Sequence, residues 1–303
     1  MIRMFLASLF TCLHLIAFAQ MPERSPADSL YDAGELKAAI ERYAADFARY
    51  PDSSYVGYNY ACALALDGQI DTAFHFLRLA TARDTSVRVL TDPDFYALQK
   101  DERWTAFEDD MIARVEEKYG EYENLPLVRE LWNMKLKDQA FYYHLRVAEK
   151  QGGRYNPVSK AIWELKSKLN DANVARLVEI IDEYGWPEKS LVKGTAAQAA
   201  FLIIQHADIE VQQKYLPLMR TAADEGEASW SSLALLIDRT NLRTGKPQVY
   251  GSQIYRNDDG SYYVKDLEEP QYVNQRRREV GLPPIEDYVK RWNIEWDIEQ
   301  LEK

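Results

Sequence analysis

A short echo near the start of the chain constrains its fold more than any other feature. The pattern Gly34-Glu35-x3-Ala39 recurs as Gly68-Gln69-x3-Ala73, 34 residues later. Glycine suits the tight turn between two helices, and alanine lets paired helices approach closely. The spacing therefore predicts consecutive helix pairs in this part of the chain.

The echo resembles the tetratricopeptide repeat and covers about two units of it. Residues 27–118 are predicted to form this helical-repeat region, with Asp92-Pro93-Asp94-Phe95 near its closing segment. The resemblance implies a concave surface that contacts a protein or a peptide. A structural cap on the following region is the alternative, because so few repeats rarely make a deep groove.

Residues 1–19 have the pattern of a signal peptide. Arg3 precedes an apolar run from Met4 to Phe18, and Ala17-Phe18-Ala19 fits a small-x-small cleavage site. The run is shorter than the roughly 20 residues of a membrane-spanning helix. We therefore expect an exported protein, periplasmic or extracellular. Lipidation at Cys12 is disfavoured because Leu9-Phe10-Thr11 is not a lipoprotein-type sequence.

Composition excludes some partners of the mature chain. The net charge of −11 argues against nucleic acid, which needs an array of cationic side chains. Arg276-Arg277-Arg278 is interpreted as a solvated helix face. After cleavage Cys62 is the single cysteine, so no internal disulfide is expected, and its alanine-rich surroundings predict burial.

A second region, residues 125–303, is predicted to be α-helical with one β-hairpin near 248–264. The fold class is therefore mainly α. Apolar spacing predicts one helix over Leu127 to Lys150, in which Asp138-Gln139 is interpreted as a solvated face. An alanine-rich helix from Ala196 is expected to be buried and to deliver Gln205 and His206 into an enclosed place.

Four motifs of this region resemble a bacterial family of domains of unknown function. They are Gly185-Trp186-Pro187, Gln205-His206-Ala207-Asp208, Asp238-Arg239 and the run Gly245-Lys246-Pro247-Gln248-x-Tyr250-Gly251-Ser252-Gln253. Ser252 stands where the family pattern has Thr, which keeps the hydroxyl. The resemblance implies a shared fold and a shared site, and no activity.

The polar residues of these motifs are predicted to converge in one pocket. His206 is the candidate general base, Asp238 its orienting carboxylate and Arg239 an anion clamp. The other members are expected to bind a ligand, with Trp186 as a wall: Gln205, Gln248, Tyr250 and Gln253. Each residue taken alone also has a structural interpretation, as a cap or a satisfied core group.

Two functions fit this pattern. The first is an exported interaction protein whose second region holds a small polar or peptidic ligand. The alternative is a hydrolase or transferase that uses His206, Asp238 and Arg239. No cofactor or metal is predicted, because His144 is the only other histidine of the region and no glycine-rich phosphate loop is present.

Overall fold

The computed structural model describes residues 24–153 and 156–302, and the predicted signal peptide lies outside them. The fold is mainly α with one small antiparallel hairpin, which confirms the predicted fold class. The helices of the N-terminal part are α1 Pro26–Ala33, α2 Leu36–Arg49, α3 Ser54–Leu66, α4 Ile70–Thr81 and α5 Arg103–Tyr119. Those that follow are α6 Leu125–Gln139, α7 Tyr142–Gly152, α8 Pro157–Tyr184, α9 Lys189–His206, α10 Ile209–Asp224, α11 Trp230–Arg243, α12 Val273–Glu279 and α13 Ile285–Val289.

Two equivalent glycine turns join the first two helix pairs. Gly34 links α1 to α2 with φ of 82°, and Gly68 links α3 to α4 with φ of 78°. Both values lie in the left-handed region, where residues with a Cβ are strained. The sequence echo thus marks the same turn twice. Assignment of these helices to the tetratricopeptide class stays a prediction.

The helix predicted over Leu127 to Lys150 is broken into α6 and α7 at a sharp corner. Phe141 occupies the corner with φ of 70°. A bulky residue rarely adopts this conformation, so the sequence carries no signal of the break. On the N-terminal side of the corner, α6 packs against α8 and α9.

The α9 helix runs alongside α6 and ends beside the corner. Its N-terminal turn is interrupted at Lys193, where φ is 62°, and its regular part then continues to His206. The alanine-rich stretch of α9 is buried, as the composition predicts. Gln205 and His206 are therefore placed at the C-terminal end of a core helix.

The hairpin is shorter than the predicted 248–264. Strands β1 (Ile254–Arg256) and β2 (Tyr262–Val264) pair with Tyr255 opposite Tyr263. Residues 248–253 form a loop before β1, in which Gln248 makes an isolated parallel bridge to Leu267. The hairpin tip at Asp258 and Asp259 is exposed.

Within residues 24–153 and 156–302, two clusters of buried apolar side chains stabilise the fold. The larger runs from Ala27 in α1 to Ile237 in α11, so both sequence regions contribute to it. The smaller consists of Val273, Ile285 and Val289 beneath the hairpin. The C-terminal segment folds back on this smaller cluster, where the Leu301 N–H donates to the Gln271 carbonyl at 2.7 Å.

Cys62 is free and buried, as predicted. Within the described ranges, no helix is long and apolar enough to cross a membrane.

Candidate functional site

Asp238 is a structural anchor. Its side chain is fully buried in α11, and its two oxygens accept hydrogen bonds from the backbone N–H groups of Val249 at 2.7 Å, Tyr250 at 3.0 Å and Ser252 at 2.8 Å. Burial raises the pKa of the Asp238 carboxyl, and these hydrogen bonds oppose the rise. The carboxylate thus fixes the 248–253 loop onto α11, and its expected pairing with His206 is wrong.

The carboxylate that meets His206 belongs to Asp138, at the end of α6. The Nδ1 atom of His206 lies 2.8 Å from Oδ1 and 3.0 Å from Oδ2 of Asp138. The Asp138 side chain is 1% exposed and that of His206 is 18% exposed. The interpretation of Asp138 as part of a solvated face is therefore also wrong, and the packing of α6 on α9 creates the pair.

This contact fixes the chemistry of the imidazole. An ionised carboxylate can only accept, so Nδ1 donates and Nε2 is the acceptor of the neutral ring. Nε2 has no hydrogen-bond partner in residues 24–153 and 156–302. A histidine held in this way can accept a proton from, or a hydrogen bond from, a group that approaches its outer edge.

Two further side chains brace Asp138. The Gln139 Nε2 donates to Asp138 Oδ2 at 2.5 Å. The Lys166 Nζ donates to the carbonyl oxygens of Asp138 and Ala140 at 2.8 and 3.0 Å, which satisfies the C-terminal end of α6. Burial lowers the pKa of Lys166, and the Asp138 charge opposes that change. The corner is thus a buried polar network rather than a wetted surface.

Arg239 lies next to His206 and is held by two neutral groups. Its Nη1 donates to the Gln205 carbonyl at 2.9 Å, and its Nε donates to Gln253 Oε1 at 3.1 Å. Arg243 donates in the same way to the Ala207 carbonyl at 2.9 Å. The two arginines therefore cap the last carbonyls of α9 on either side of His206, as cations favourably do.

The surroundings of Arg239 contain cations and phenols but no paired carboxylate. Burial lowers the pKa of Arg239, as does the neighbouring Arg243, while the phenols of three tyrosines raise it: Tyr142, Tyr255 and Tyr288. Arg239 forms no ion pair in the part of the chain that the structure describes. A half-buried guanidinium without a counter-ion is suited to an anionic group.

The remaining predicted residues have structural tasks or lie elsewhere. The fully buried Gln248 donates to the carbonyls of Gln253 and Lys265 at 3.0 and 2.6 Å and accepts from the Gln253 N–H at 2.7 Å. The Tyr250 carbonyl accepts from Arg277 at 2.6 Å. Arg277 is fully buried, so the interpretation of Arg276-Arg277-Arg278 as a solvated helix face is wrong for this residue. These contacts shape the loop that presents the Gln253 side chain to Arg239.

Trp186 does not wall this site. It is buried before the start of α9 and lines a separate cavity of about 310 Å³ with Phe201 and Met219. The regular part of α9, from Gly194 to His206, alone spans about 18 Å at 1.5 Å per residue. Trp186 therefore serves the core at the opposite end of the helix.

One group of side chains does come together, and we name it the α9-end cluster: Asp138, Gln139, Gln205, His206, Arg239 and Gln253. The cluster offers an acceptor at His206 Nε2 and donors at Arg239. The Gln205 Oε1 is buried without a hydrogen-bond partner among the described residues. Together these groups can bind a small polar or anionic molecule, and the oriented imidazole can move a proton.

Comparison with known proteins places this cluster within one family. No curated protein and no solved structure matches the chain. A family model, described as a family of unknown function (DUF6624), matches residues 126–298, which include every member of the α9-end cluster. The chain therefore belongs to this family of unknown function, DUF6624.

Proposed function

We propose that the chain is an exported binding protein whose second region holds a small anionic ligand at the α9-end cluster. Arg239 supplies the positive charge, and His206 Nε2 accepts a hydrogen bond from a donor group of the ligand. The N-terminal helices contact a protein or peptide partner in this proposal. Export rests on the signal-peptide pattern of residues 1–19.

The observation that carries the ligand proposal is that Arg239 has no counter-ion among the described residues. The net charge of the chain is −11, so carboxylates are plentiful, yet none pairs with this half-buried guanidinium among residues 24–153 and 156–302. A buried charge without a counter-ion destabilises a protein. An anion that pairs with Arg239 removes that destabilisation, and the gain contributes to its binding.

A hydrolase or transferase is the second candidate, favoured by the contact between His206 and Asp138. The buried carboxylate orients the ring through Nδ1 and leaves Nε2 outward, which is the arrangement of a general base. In this form of the proposal, Asp138 takes the orienting role that the sequence assigned to Asp238. Arg239 would bind the anionic part of the substrate.

Thermal unfolding of the mature chain in the presence of inorganic phosphate or malonate tests the binding proposal. We expect either anion at about 100 times its Kd to stabilise the wild type by about 3 kcal/mol, whereas Arg239→Met loses the effect. Arg239→Lys keeps the charge and is expected to retain part of it. Arg83→Met removes an exposed arginine elsewhere and is the matched control.

Equal stabilisation of the wild type and Arg239→Met by these anions would exclude Arg239 as the binding group. Asp138→Asn tests the catalytic candidate separately, because asparagine keeps the side-chain shape but weakens the hydrogen bond to His206 Nδ1. Unchanged anion stabilisation in this variant, with loss of any turnover found for the wild type, is the result expected of a general base.

A further inference from the structure

A second pocket lies where the N-terminal helices meet the corner between α6 and α7. Its volume is about 360 Å³, which is at the lower end of the range for small-ligand sites. Its N-terminal side is formed by the α3–α4 turn and the segment 93–100, and its other side by residues 139–144. The pocket shares Gln139 with the α9-end cluster, while His206 and Arg239 do not line it.

The walls of this pocket are aromatic. Tyr96 and Phe141 meet edge to face with ring centroids 5.1 Å apart, and Tyr142 and Tyr143 add two further rings to the lining. Phe141 holds its position at the cost of a left-handed backbone, which is about 1–2 kcal/mol for a residue with a Cβ. The corner therefore keeps a strained residue whose ring forms part of the pocket.

The ionisable groups of the pocket differ in whether a neighbouring group pairs with them. The Asp94 carboxylate accepts from the Tyr31 hydroxyl at 2.7 Å. Burial lowers the pKa of His144, which keeps its imidazole neutral at pH 7. The Lys100 ammonium lies 4.7 Å from the Tyr96 ring centroid and has no carboxylate in ion-pair contact among the described residues. Lys100 is thus the pocket's free charge.

We propose that this pocket binds a carboxylate that carries one large apolar side chain, as the C-terminal residue of a peptide does. The side chain packs among the rings, and the carboxylate pairs with Lys100 at the rim. The size of the pocket accommodates one such residue rather than a longer segment. This inference rests on the proposed peptide partner of the N-terminal helices, and it names where that partner's chain end binds.

Calorimetric titration of the mature chain with three related probes tests the inference. The probes are N-acetyl-phenylalanine, its neutral amide N-acetyl-phenylalaninamide and the cationic phenylalaninamide. We expect the carboxylate to bind about tenfold more tightly than the neutral amide, since it alone gains a charge-assisted contact. Phenylalaninamide is expected to bind most weakly because Lys100 repels it.

Two variants at exposed positions locate the binding. Lys100→Met is expected to remove the preference for the carboxylate, and Ala97→Trp to abolish binding by filling the pocket mouth. Lys160→Met removes an exposed lysine elsewhere and should leave all three affinities unchanged. Circular dichroism confirms that each variant keeps the helical fold.

The inference is overturned if no probe binds at about 10 mM, which is tenfold above a weak Kd of about 1 mM. It is also overturned if Lys100→Met keeps the carboxylate preference, or if phenylalaninamide binds best, which would assign the charge selection to Asp94. If longer peptides bind equally well with and without C-terminal amidation, the N-terminal helices contact a peptide but this pocket does not bind its C-terminal carboxylate. Arg239→Met should bind N-acetyl-phenylalanine as the wild type does. Failure of anion binding at the α9-end cluster can therefore be distinguished from failure of binding in this pocket.

Discussion

At the scale of single residues, Asp94 makes folding sensitive to pH. Burial and the neighbouring Asp92 charge raise the pKa of the Asp94 carboxyl to about 6, from an ordinary value of 3.8. The folded state therefore holds this proton more tightly than the unfolded chain does. The resulting stability is complete below about pH 4 and is lost as the pH rises through about 6.

We expect this group to lower the free energy of unfolding by about 1–3 kcal/mol between pH 4 and pH 7. Urea unfolding of the wild type and Asp94→Asn at intervals across that range measures it. As the pH rises, the free energy of unfolding of Asp94→Asn should increase relative to that of the wild type. A difference that is flat with pH would contradict the assignment of this pH dependence to Asp94.

The two buried aspartates show how far sequence reasoning reaches at this scale. It found His206 and Arg239 as neighbours and expected a carboxylate on the histidine, but it chose Asp238. Asp138 lies 68 positions from His206, and only the packing of α6 on α9 brings them together. The available signal was an Asp-Gln pair within an apolar helix, and a solvated face gives the same pattern.

At the scale of helices, the two glycine turns offer a matched pair of substitutions. A Cβ on Gly34 would lie 2.9 Å from Val147 Cγ2 in α7, whereas a Cβ on Gly68 would meet nothing within 4 Å. Both backbones are left-handed, so both alanine variants carry the same conformational strain. The close approach to α7 applies only to Gly34, and valine cannot easily rotate away.

We expect Gly68→Ala to cost about 1–2 kcal/mol in the free energy of unfolding through strain alone. Gly34→Ala should cost a further 1 kcal/mol or more, roughly, from overpacking against Val147. Chemical denaturation of both variants gives the difference. Equal losses would mean that the α1–α2 turn does not press on α7 in solution.

Helix identity was largely predictable from apolar spacing, while helix boundaries were not. The corner at Phe141 has no glycine or proline, and its strain is offset by ring packing that a linear pattern does not contain. The opposite occurs at α8, where Asp171 is a residue type that favours a helix start and therefore predicts a break, yet one helix runs from Pro157 to Tyr184. There the Asn173 side chain donates to the Met134 carbonyl at 3.0 Å, so polar residues in mid-helix are used for packing on α6.

At the scale of the whole molecule, the N-terminal helices and the family region share the larger apolar cluster, and α6 lies between them. Neither part buries this surface alone. We therefore expect Cys62 in α3 and the amides of Ala199 and Ala200 in α9 to lose protection at the same urea concentration. Thiol labelling and hydrogen exchange measure the two midpoints, and a lower midpoint for Cys62 would show that the N-terminal helices unfold independently.

The hairpin has a practical consequence for work on this family. Residues 300–302 are held by the Gln271 carbonyl, by the Asn274 N–H and by Arg278, so a purification tag fused there would compete with these contacts. A tag at the other end would be removed with residues 1–19 under the export proposal. An epitope inserted at the exposed tip between Asp258 and Asp259 would disturb neither end of the chain. It would report on secretion while the α9-end cluster stays intact.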